Sequence, residues 1–311
     1  MQAQLMTLER APVQVPALDD REICTRFLLS QDVCPSSKRT YNLSLRQYFA
    51  WLDKKGISLI EVTREQLLSY KQELIEKGLS SLTIGSYITI VRKLHLWLEE
   101  NRICINVARG IKSPKKVNAF RKSPLTSQQA RELLNYFEES ARDSAIVNLL
   151  LRTGIRTIEA IRANIEDLAM KGGQSILYIQ GKGRADRSEF VVITPEMKTI
   201  ISDYLFTRGR VLDSDPLFAS RANRNLDQRL TTHTIGHLVK RGLRAIGIND
   251  KSITCHSLRH TCAVSILKAG GSIMDARAVL RHSSTATTEI YTKVILEEQR
   301  LENPPEMLIQ Y

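Results

Sequence analysis

Apolar residues between positions 20 and 110 recur every three or four residues, which is the spacing of one face of an α-helix. Gly56 stands where the first long stripe ends, and Thr63 with Gln66 forms a capping box that opens a helix ending near Gly78. The clearest stripes are Tyr41, Leu45, Tyr48, Phe49 and Leu52, and then Ile84, Tyr87, Ile88, Val91, Leu94 and Leu98. The pattern predicts a small helical bundle over residues 20–110, after an N-terminal tail of residues 1–19.

The helical pattern stops at a short basic segment, residues 111–123. It has no acidic residue, and Pro114 lies inside it while Pro124 follows it directly. Its five cations are Lys112, Lys115, Lys116, Arg121 and Lys122. We interpret the segment as a linker between two domains, and its cations are candidates for contacts with the backbone of a polyanion.

A second domain is predicted over residues 124–311, and it is not purely helical. Thr126 begins another capping box. Further along, Ile176–Ile179 and Phe190–Ile193 are β-rich runs that flank the basic turn Gly181–Arg184. The predicted fold class is therefore mainly α with a small β-hairpin, in which a helical domain precedes a mixed α/β domain.

Composition narrows the class of partner. The chain has 311 residues, with 45 lysines and arginines against 33 acidic residues and a formal net charge of +12, which favours a polyanionic partner. The five cysteines include no CxxC pair, the N-terminus has no basic segment followed by an apolar run, and no run of about 18 apolar residues could span a bilayer. We therefore expect a cytoplasmic protein with reduced thiols and no membrane partner.

Groups suited to phosphate chemistry are concentrated near the C-terminus. Residues 256–260 read His-Ser-Leu-Arg-His, His282 follows, and Tyr291, which we expect to be exposed, comes nine residues later. Breaking and rejoining a phosphodiester requires a nucleophilic oxygen, cations for the phosphate oxygens and groups that move protons. The segment is therefore a candidate site for phosphoryl transfer.

Each motif also has a plainer interpretation. Arg156 lies three residues before Glu159, which places both side chains on one helix face, as a supporting contact or as an ordinary surface ion pair. His256 and Arg259 have the same spacing and could be partly buried helix residues. His260 is interpreted as a buried, hydrogen-bonded structural histidine.

The crowding of Cys255, His256, His260 and Cys262 raises the question of a metal. Adjacent residues on a helix point in different directions, and no second group of ligands completes a tetrahedral site. We expect neither a metal nor a cofactor.

In their order along the chain, these motifs resemble those of the tyrosine recombinase (phage integrase) family. The matching positions are Arg156 with Glu159 in Thr-Gly-Ile-Arg-Thr-Ile-Glu, Lys182 on the hairpin turn, His256 and Arg259 in His-x-x-Arg, then His282 and finally Tyr291. The resemblance covers about residues 20–300, and residues 20–110 are similar to the family's core-binding domain. It implies a site-specific recombinase that cuts and rejoins DNA in integration, excision or resolution.

The resemblance also implies a role for each residue. Tyr291 would attack the scissile phosphate and form a 3′-phosphotyrosyl bond, with His256 as general base and Lys182 as general acid. The charged transition state would be stabilised by Arg156, Arg259 and His282, with Glu159 and His260 in support. Arg184, beside Lys182, joins the linker cations as a DNA-binding candidate.

Two positions depart from the family's usual pattern. Arg281 stands where the family usually has glycine, so a left-handed backbone there would be adopted by arginine at some cost. Ala160 replaces a leucine, which is a small change in packing. The chain resembles the compact Xer-like and Cre-like members, because the residues before the first helix are too few for an arm-binding domain.

The expected partner is double-stranded DNA carrying recombination sites, in the bacterial-type cytoplasm and nucleoid. The resemblance implies a homotetramer in which the C-terminal tail, amphipathic over Val294–Leu301, docks on a neighbouring protomer; an accessory protein is left open. Two alternatives also remain open at this point. One is a DNA-relaxing enzyme of the type IB topoisomerase kind, and the other is a sequence-specific DNA-binding protein without catalysis.

Overall fold

The chain divides into two compact units, Met1–Asn118 and Ala119–Tyr311, and each has its own buried apolar core. The structure is a computed structural model, and it describes residues 19–115, 123–181, 186–282 and 286–302, together with Pro304 and Met307. Within these residues, no helix combines the length and the apolar character needed to cross a membrane.

The first unit contains a bundle of four α-helices, as the periodicity predicts. They are α1 (Asp20–Ser30), α2 (Pro35–Lys55), α3 (Arg64–Glu76) and α4 (Ser81–Glu100). Helix α2 stops at Gly56, whose φ of 65° is left-handed, and α3 begins at the predicted capping box of Thr63 and Gln66. Tyr48 and Tyr70 are fully buried at the centre, and the Tyr48 hydroxyl lies 3.0 Å from Nε2 of His95.

The second unit is mainly helical and carries a small sheet. Its helices are α5 (Ser127–Tyr136), α6 (Ala141–Thr153), α7 (Thr157–Arg162), α8 (Pro195–Arg208), α9 (Thr232–Ala245), α10 (Cys255–Lys268), α11 (Ile273–Leu280) and α12 (Ala286–Glu302). The capping box predicted at Thr126 opens α5 through Gln129. Helix α6 is the central element, because residues 145–151 are all buried.

The sheet has three antiparallel strands in the order β1 (Leu168–Lys171), β2 (Gln174–Ile179) and β3 (Glu189–Val192). The pairing of β2 with β3 confirms the predicted hairpin. Strand β1 was not predicted, because Leu-Ala-Met-Lys lacks β-branched residues. Gly172 and Gly173, both at positive φ, form the two-residue turn between β1 and β2 and were the missed signal.

Candidate active site

The site begins at the tight turn that ends α6. Gly154 has a φ of 58°, and a Cβ at this position would lie 2.5 Å from Leu280 Cδ2 on α11 and 3.3 Å from Cys262 Sγ on α10. Glycine is therefore required both by the left-handed backbone and by the close approach of two other helices. The turn brings Arg156 to the start of α7.

Arg156 and Glu159 form a capping pair, which differs from the predicted arrangement on one helix face. Arg156 is the residue before α7, with extended backbone, so it lies outside the helical turns. Its backbone N–H donates to Glu159 Oε2 at 2.8 Å, and its Nη1 donates to Oε1 at 2.6 Å. The Glu159 carboxylate thereby caps α7 with one oxygen and orients the Arg156 guanidinium with the other.

Glu159 is completely buried and serves two arginines. Nη2 of Arg281 donates to Glu159 Oε2 at 2.8 Å, from a side chain that is itself only 8% exposed. Burial acts to raise the pKa of the Glu159 carboxyl, but Arg281 and Arg156 together lower it below its usual value. The carboxylate is therefore held in its charged form.

Arg259 is a buried residue of α10 that forms hydrogen bonds with two other parts of the second unit. It is 2% exposed, and its guanidinium donates to the backbone carbonyls of Gly154 and Leu280. Burial lowers the pKa of this guanidinium to about 10, which still leaves it charged at neutral pH. Arg259 thus joins α10 to the turn after α6 and to the end of α11.

Tyr291 is buried, so the expectation of an exposed tyrosine is wrong. It is 2% exposed, because it lies within α12 and packs in a small cluster with Ala263, Val264 and Leu280. Its hydroxyl lies 2.6 Å from Nδ1 of His260. Burial raises the pKa of Tyr291 to about 12, although Arg259 opposes the shift.

His256 and His260 lie one turn apart on α10, with ring centroids 4.6 Å apart. His256 is exposed, whereas His260 is half-buried and contacts the tyrosine hydroxyl. His260 is therefore more than the structural histidine that we expected, since it lies against the candidate nucleophile. The His260 ring therefore contacts both the Tyr291 hydroxyl and the edge-on ring of the exposed His256.

His282 lies on the other side of the tyrosine. Its ring is stacked on that of Tyr291 at a centroid distance of 6.4 Å, and its Nδ1 lies 2.9 Å from the hydroxyl of Thr288. Burial, assisted by the charge of Arg259, lowers the pKa of His282 to about 4. The ring is therefore neutral at neutral pH and can donate or accept one hydrogen bond.

The structure describes only some of the remaining predicted site residues. Lys112 and Lys115 are described, and they are exposed at the end of the helical unit. The others are Lys116, Arg121, Lys122, Lys182 and Arg184, which lie outside the described residues. Over the part of the chain that the structure describes, no group of three or more histidine, cysteine or acidic residues is placed to hold a metal ion.

A basic groove along α9 was missed by the sequence analysis. It has a volume of about 780 Å³ and includes Thr157 and Cys255, the neighbours of Arg156 and His256. Its polar wall carries Arg142, His233, His237, Lys240, Arg241 and Arg244, and Asp143 pairs there with Arg142 and Arg241. The available signal was the amphipathic pattern of α9, whose apolar face is Ile235, Leu238, Val239 and Leu243.

The helical unit, and the second unit with its tyrosine among arginines and histidines, define a tyrosine recombinase. The chain belongs to the phage integrase family, since the family model of that description matches residues 123–298. A second model, the SAM-like N-terminal domain of phage integrases, matches residues 25–102. The protein is accordingly a site-specific DNA recombinase, and membership favours this activity over both alternatives left open above.

Individual relatives support the same assignment. The tyrosine recombinase XerD of Haemophilus influenzae is 26% identical over 279 residues, covering 87% of this chain and 91% of that protein. XerC of Thermodesulfovibrio yellowstonii is 31% identical and covers 83% of this chain and 86% of that protein.

Solved structures show the same fold. XerH recombinase bound to a palindromic difH substrate, in a post-cleavage complex, has a TM-score of 0.71 at 19% identity, over 91% of this chain and 83% of that one. A lambda integrase dimer bound to a core site has a TM-score of 0.68 at 16% identity, over 87% and 76%.

Proposed function

We propose that Tyr291 is the nucleophile with which this recombinase cuts DNA. Its oxygen attacks the scissile phosphorus, the bond to the 5′ oxygen breaks, and the DNA 3′ end remains joined to the tyrosine as a phosphodiester. The observation that carries the proposal is the contact of the Tyr291 hydroxyl with His260, beside Arg156 and Arg259. A 5′ hydroxyl from a second strand reverses the step, and the bond energy retained in the ester drives rejoining without a nucleotide cofactor.

We propose that a histidine beside Tyr291 accepts its proton. A phenol whose pKa is raised to about 12 is almost fully protonated at neutral pH, so attack requires a base. We assign the first transfer to His260 because of the 2.6 Å contact, and the further transfer toward solvent to His256, which the family resemblance implies as the general base. Lys182 remains our proposed acid for the 5′ oxygen.

The arginines and His282 are proposed to stabilise the charge that develops on the phosphate. Arg156 is 30% exposed, so its guanidinium can reach a phosphate while Glu159 holds it from behind. Arg259, whose contacts are to backbone carbonyls, fixes the turn that carries Arg156 and the turn before His282. The neutral ring of His282 can donate a hydrogen bond to a phosphate oxygen.

DNA binding is proposed to involve both units. The helical unit over residues 20–110 would act as the core-binding domain, joined through the basic linker of residues 111–123 to a catalytic domain of residues 124–311. The cations of α9 line a groove next to the candidate active site, and this position favours contacts with the phosphate backbone of DNA. The cations of the linker and Arg184 are further candidates.

We propose that the protein acts as a homotetramer on paired double-stranded sites, with its C-terminal tail docked in trans. A similar structure is a lambda integrase tetramer bound to a Holliday junction. The biological outcome would be integration, excision or resolution, with mobile-element movement as one setting, in the cytoplasm at the nucleoid. An accessory protein would add direction to the reaction.

The experiment that tests the nucleophile uses the full chain and fragmented genomic DNA of its source. Covalent protein–DNA adducts are trapped with detergent, and the attached DNA is sequenced to give the cleavage site. Tyr291→Phe should still bind that DNA, because only a hydroxyl is lost. It should form no adduct, because that hydroxyl is the proposed nucleophile. Tyr136→Phe, at an exposed tyrosine of α5, is the matched control and should form adducts normally. An adduct from Tyr291→Phe would assign the chemistry to another residue.

A further inference from the structure

Arg281 adopts a backbone conformation that normally belongs to glycine. It ends α11 with φ 53° and ψ 49°, in the left-handed region where a Cβ is disfavoured. Among the described residues, Arg102 and Asp227 are the other non-glycine residues with positive φ, and both are exposed. Only Arg281 combines this conformation with a buried side chain, so its side chain must contribute enough to offset the cost.

The guanidinium of Arg281 is directed at the site. Nη2 lies 2.8 Å from Glu159 Oε2, Nη1 donates to the carbonyl of Val279 at 2.8 Å, and Nε lies 3.8 Å from Glu189 Oε2. The same Glu159 carboxylate holds Arg156 through Oε1 at 2.6 Å. One buried carboxylate is therefore shared by two guanidinium groups.

We propose that Arg281 is a positioning residue for DNA cleavage, which holds Glu159 so that Arg156 keeps its orientation toward the scissile phosphate. The inference rests on the proposed role of Arg156. The Glu159 carboxylate carries one negative charge and contacts two guanidinium groups, while Glu189, the other carboxylate near Arg281, lies farther away at 3.8 Å. Because Glu159 shares its single negative charge with Arg281, it neutralises the charge of Arg156 less than it would in an isolated pair.

The division of labour follows from the contacts of the two guanidinium groups. The Arg156 side chain is 30% exposed, whereas the Arg281 side chain is 8% exposed and its nitrogens contact Glu159, Glu189 and the carbonyl of Val279. Arg281 therefore acts through Glu159. The lowered pKa of the Glu159 carboxyl is consistent with this, since Arg281 is the leading cause that opposes burial.

The same contact joins two parts of the site that are distant in sequence. The carbonyl of Leu280 accepts a hydrogen bond from Arg259, Arg281 reaches across to α7, and His282 follows directly. The turn 280–282 is thus held on both sides. Arg281, directly before His282, is thus bonded to Glu159, which lies 122 positions earlier in the sequence.

The test measures single-turnover adduct formation and DNA affinity on a duplex that carries the sequence recovered with trapped protein. Arg281→Gly removes the guanidinium and relieves the backbone, and Arg281→Gln keeps the size without the charge. Both should slow adduct formation roughly ten- to hundredfold, the scale of a misplaced catalytic group, with little change in DNA affinity. Arg281→Lys should restore part of the rate, which a purely structural effect of the strained backbone would not do.

Arg102→Gly is the matched control, because it relieves an exposed left-handed arginine in the helical unit and should leave cleavage unchanged. Glu159→Gln removes the carboxylate through which Arg281 is proposed to act on Arg156. In that background, Arg281→Gly should therefore reduce the rate of adduct formation severalfold less than it does in the unmodified protein. Full activity of Arg281→Gly, no advantage of Lys over Gln, or an unchanged loss in the Glu159→Gln background would each overturn the inference. Arg156→Ala separates the two levels: if it cleaves normally, the proposed function fails, whereas an inactive Arg156→Ala with a fully active Arg281→Gly removes only the role of Arg281.

Discussion

At the scale of single residues, the proposed chemistry depends on the contact between Tyr291 and His260. The tyrosine is buried, which raises its pKa to about 12 and makes the free phenolate rare at neutral pH. A histidine at 2.6 Å can take the proton as the oxygen attacks, so the ionised form need not accumulate. In the proposed mechanism, the raised pKa of Tyr291 makes a neighbouring base necessary.

His260→Ala is expected to slow adduct formation by about two to four orders of magnitude, the usual contribution of a positioned base. Without the base, the rate should depend on direct ionisation of Tyr291, whose pKa is raised to about 12. It should therefore rise about tenfold per pH unit across the alkaline range. Rates of single-turnover cleavage between pH 7 and pH 10 measure this. A His260→Ala profile as flat as that of the unmodified protein would assign the proton transfer elsewhere, for example to His256.

At the scale of elements, the site is assembled where α6, α10 and α11 converge on the turn at Gly154. Arg259 bonds the Gly154 carbonyl, Leu280 packs against Gly154, and Arg156 follows two residues later. A change in this turn therefore moves several candidate catalytic groups together. The packing of three helices, rather than any single motif, sets the distances in the site.

Gly154→Ala is expected to destabilise the protein by about 1–3 kcal/mol, because the new methyl group would overlap Leu280 and the φ of 58° disfavours alanine. Adduct formation should fall as well, since Arg156 and Arg259 shift with the turn. Denaturant unfolding and cleavage assays measure the two effects. Gly56→Ala is the matched control: its φ is 65°, nothing lies within 4 Å, and it should cost about 1 kcal/mol with cleavage unchanged. Equal behaviour of the two variants would contradict the packing argument.

At the scale of the whole molecule, the last helix joins the proposed nucleophile to the tail. Helix α12 runs without a break from Ala286 to Glu302, so Tyr291 and the predicted amphipathic segment share one helix. Ile295 packs against the cluster that contains Tyr291. A truncation that starts at Val294 would therefore disturb the proposed nucleophile directly. A test of docking in trans has to remove only residues beyond the end of α12.

Deletion of residues 303–311 is expected to leave single-site binding and adduct formation within a fewfold of normal, because α12 stays whole. Recombination between two sites should be lost, since residues 303–311 carry the apolar end Met307-Leu308-Ile309, which we propose to dock on a neighbouring protomer. Mobility-shift assays with one site and recombination assays with two sites separate these steps. A truncated protein that recombines two sites normally would disprove docking in trans through this segment.

The elements of the fold were largely predictable, because they depend on local rules. The apolar stripes, the capping boxes at Thr63 and Thr126 and the stop at Gly56 all appear as predicted. Strand β1 was missed, since its residues have weak β propensity and its pairing depends on β2. The left-handed backbone at Arg281 was predicted from the likeness to a position that favours glycine.

The order of the motifs by itself determined that this chain is a tyrosine recombinase, because the residue types and their spacing encode the chemistry. Only the tertiary structure decided which groups meet: His260 on Tyr291, the burial of that tyrosine, and the sharing of Glu159 by Arg156 and Arg281. Glu159 and Arg281 are 122 positions apart, and no periodicity links them. Contacts of this kind follow from how helices pack around Gly154, which depends on the whole core and not on any local pattern.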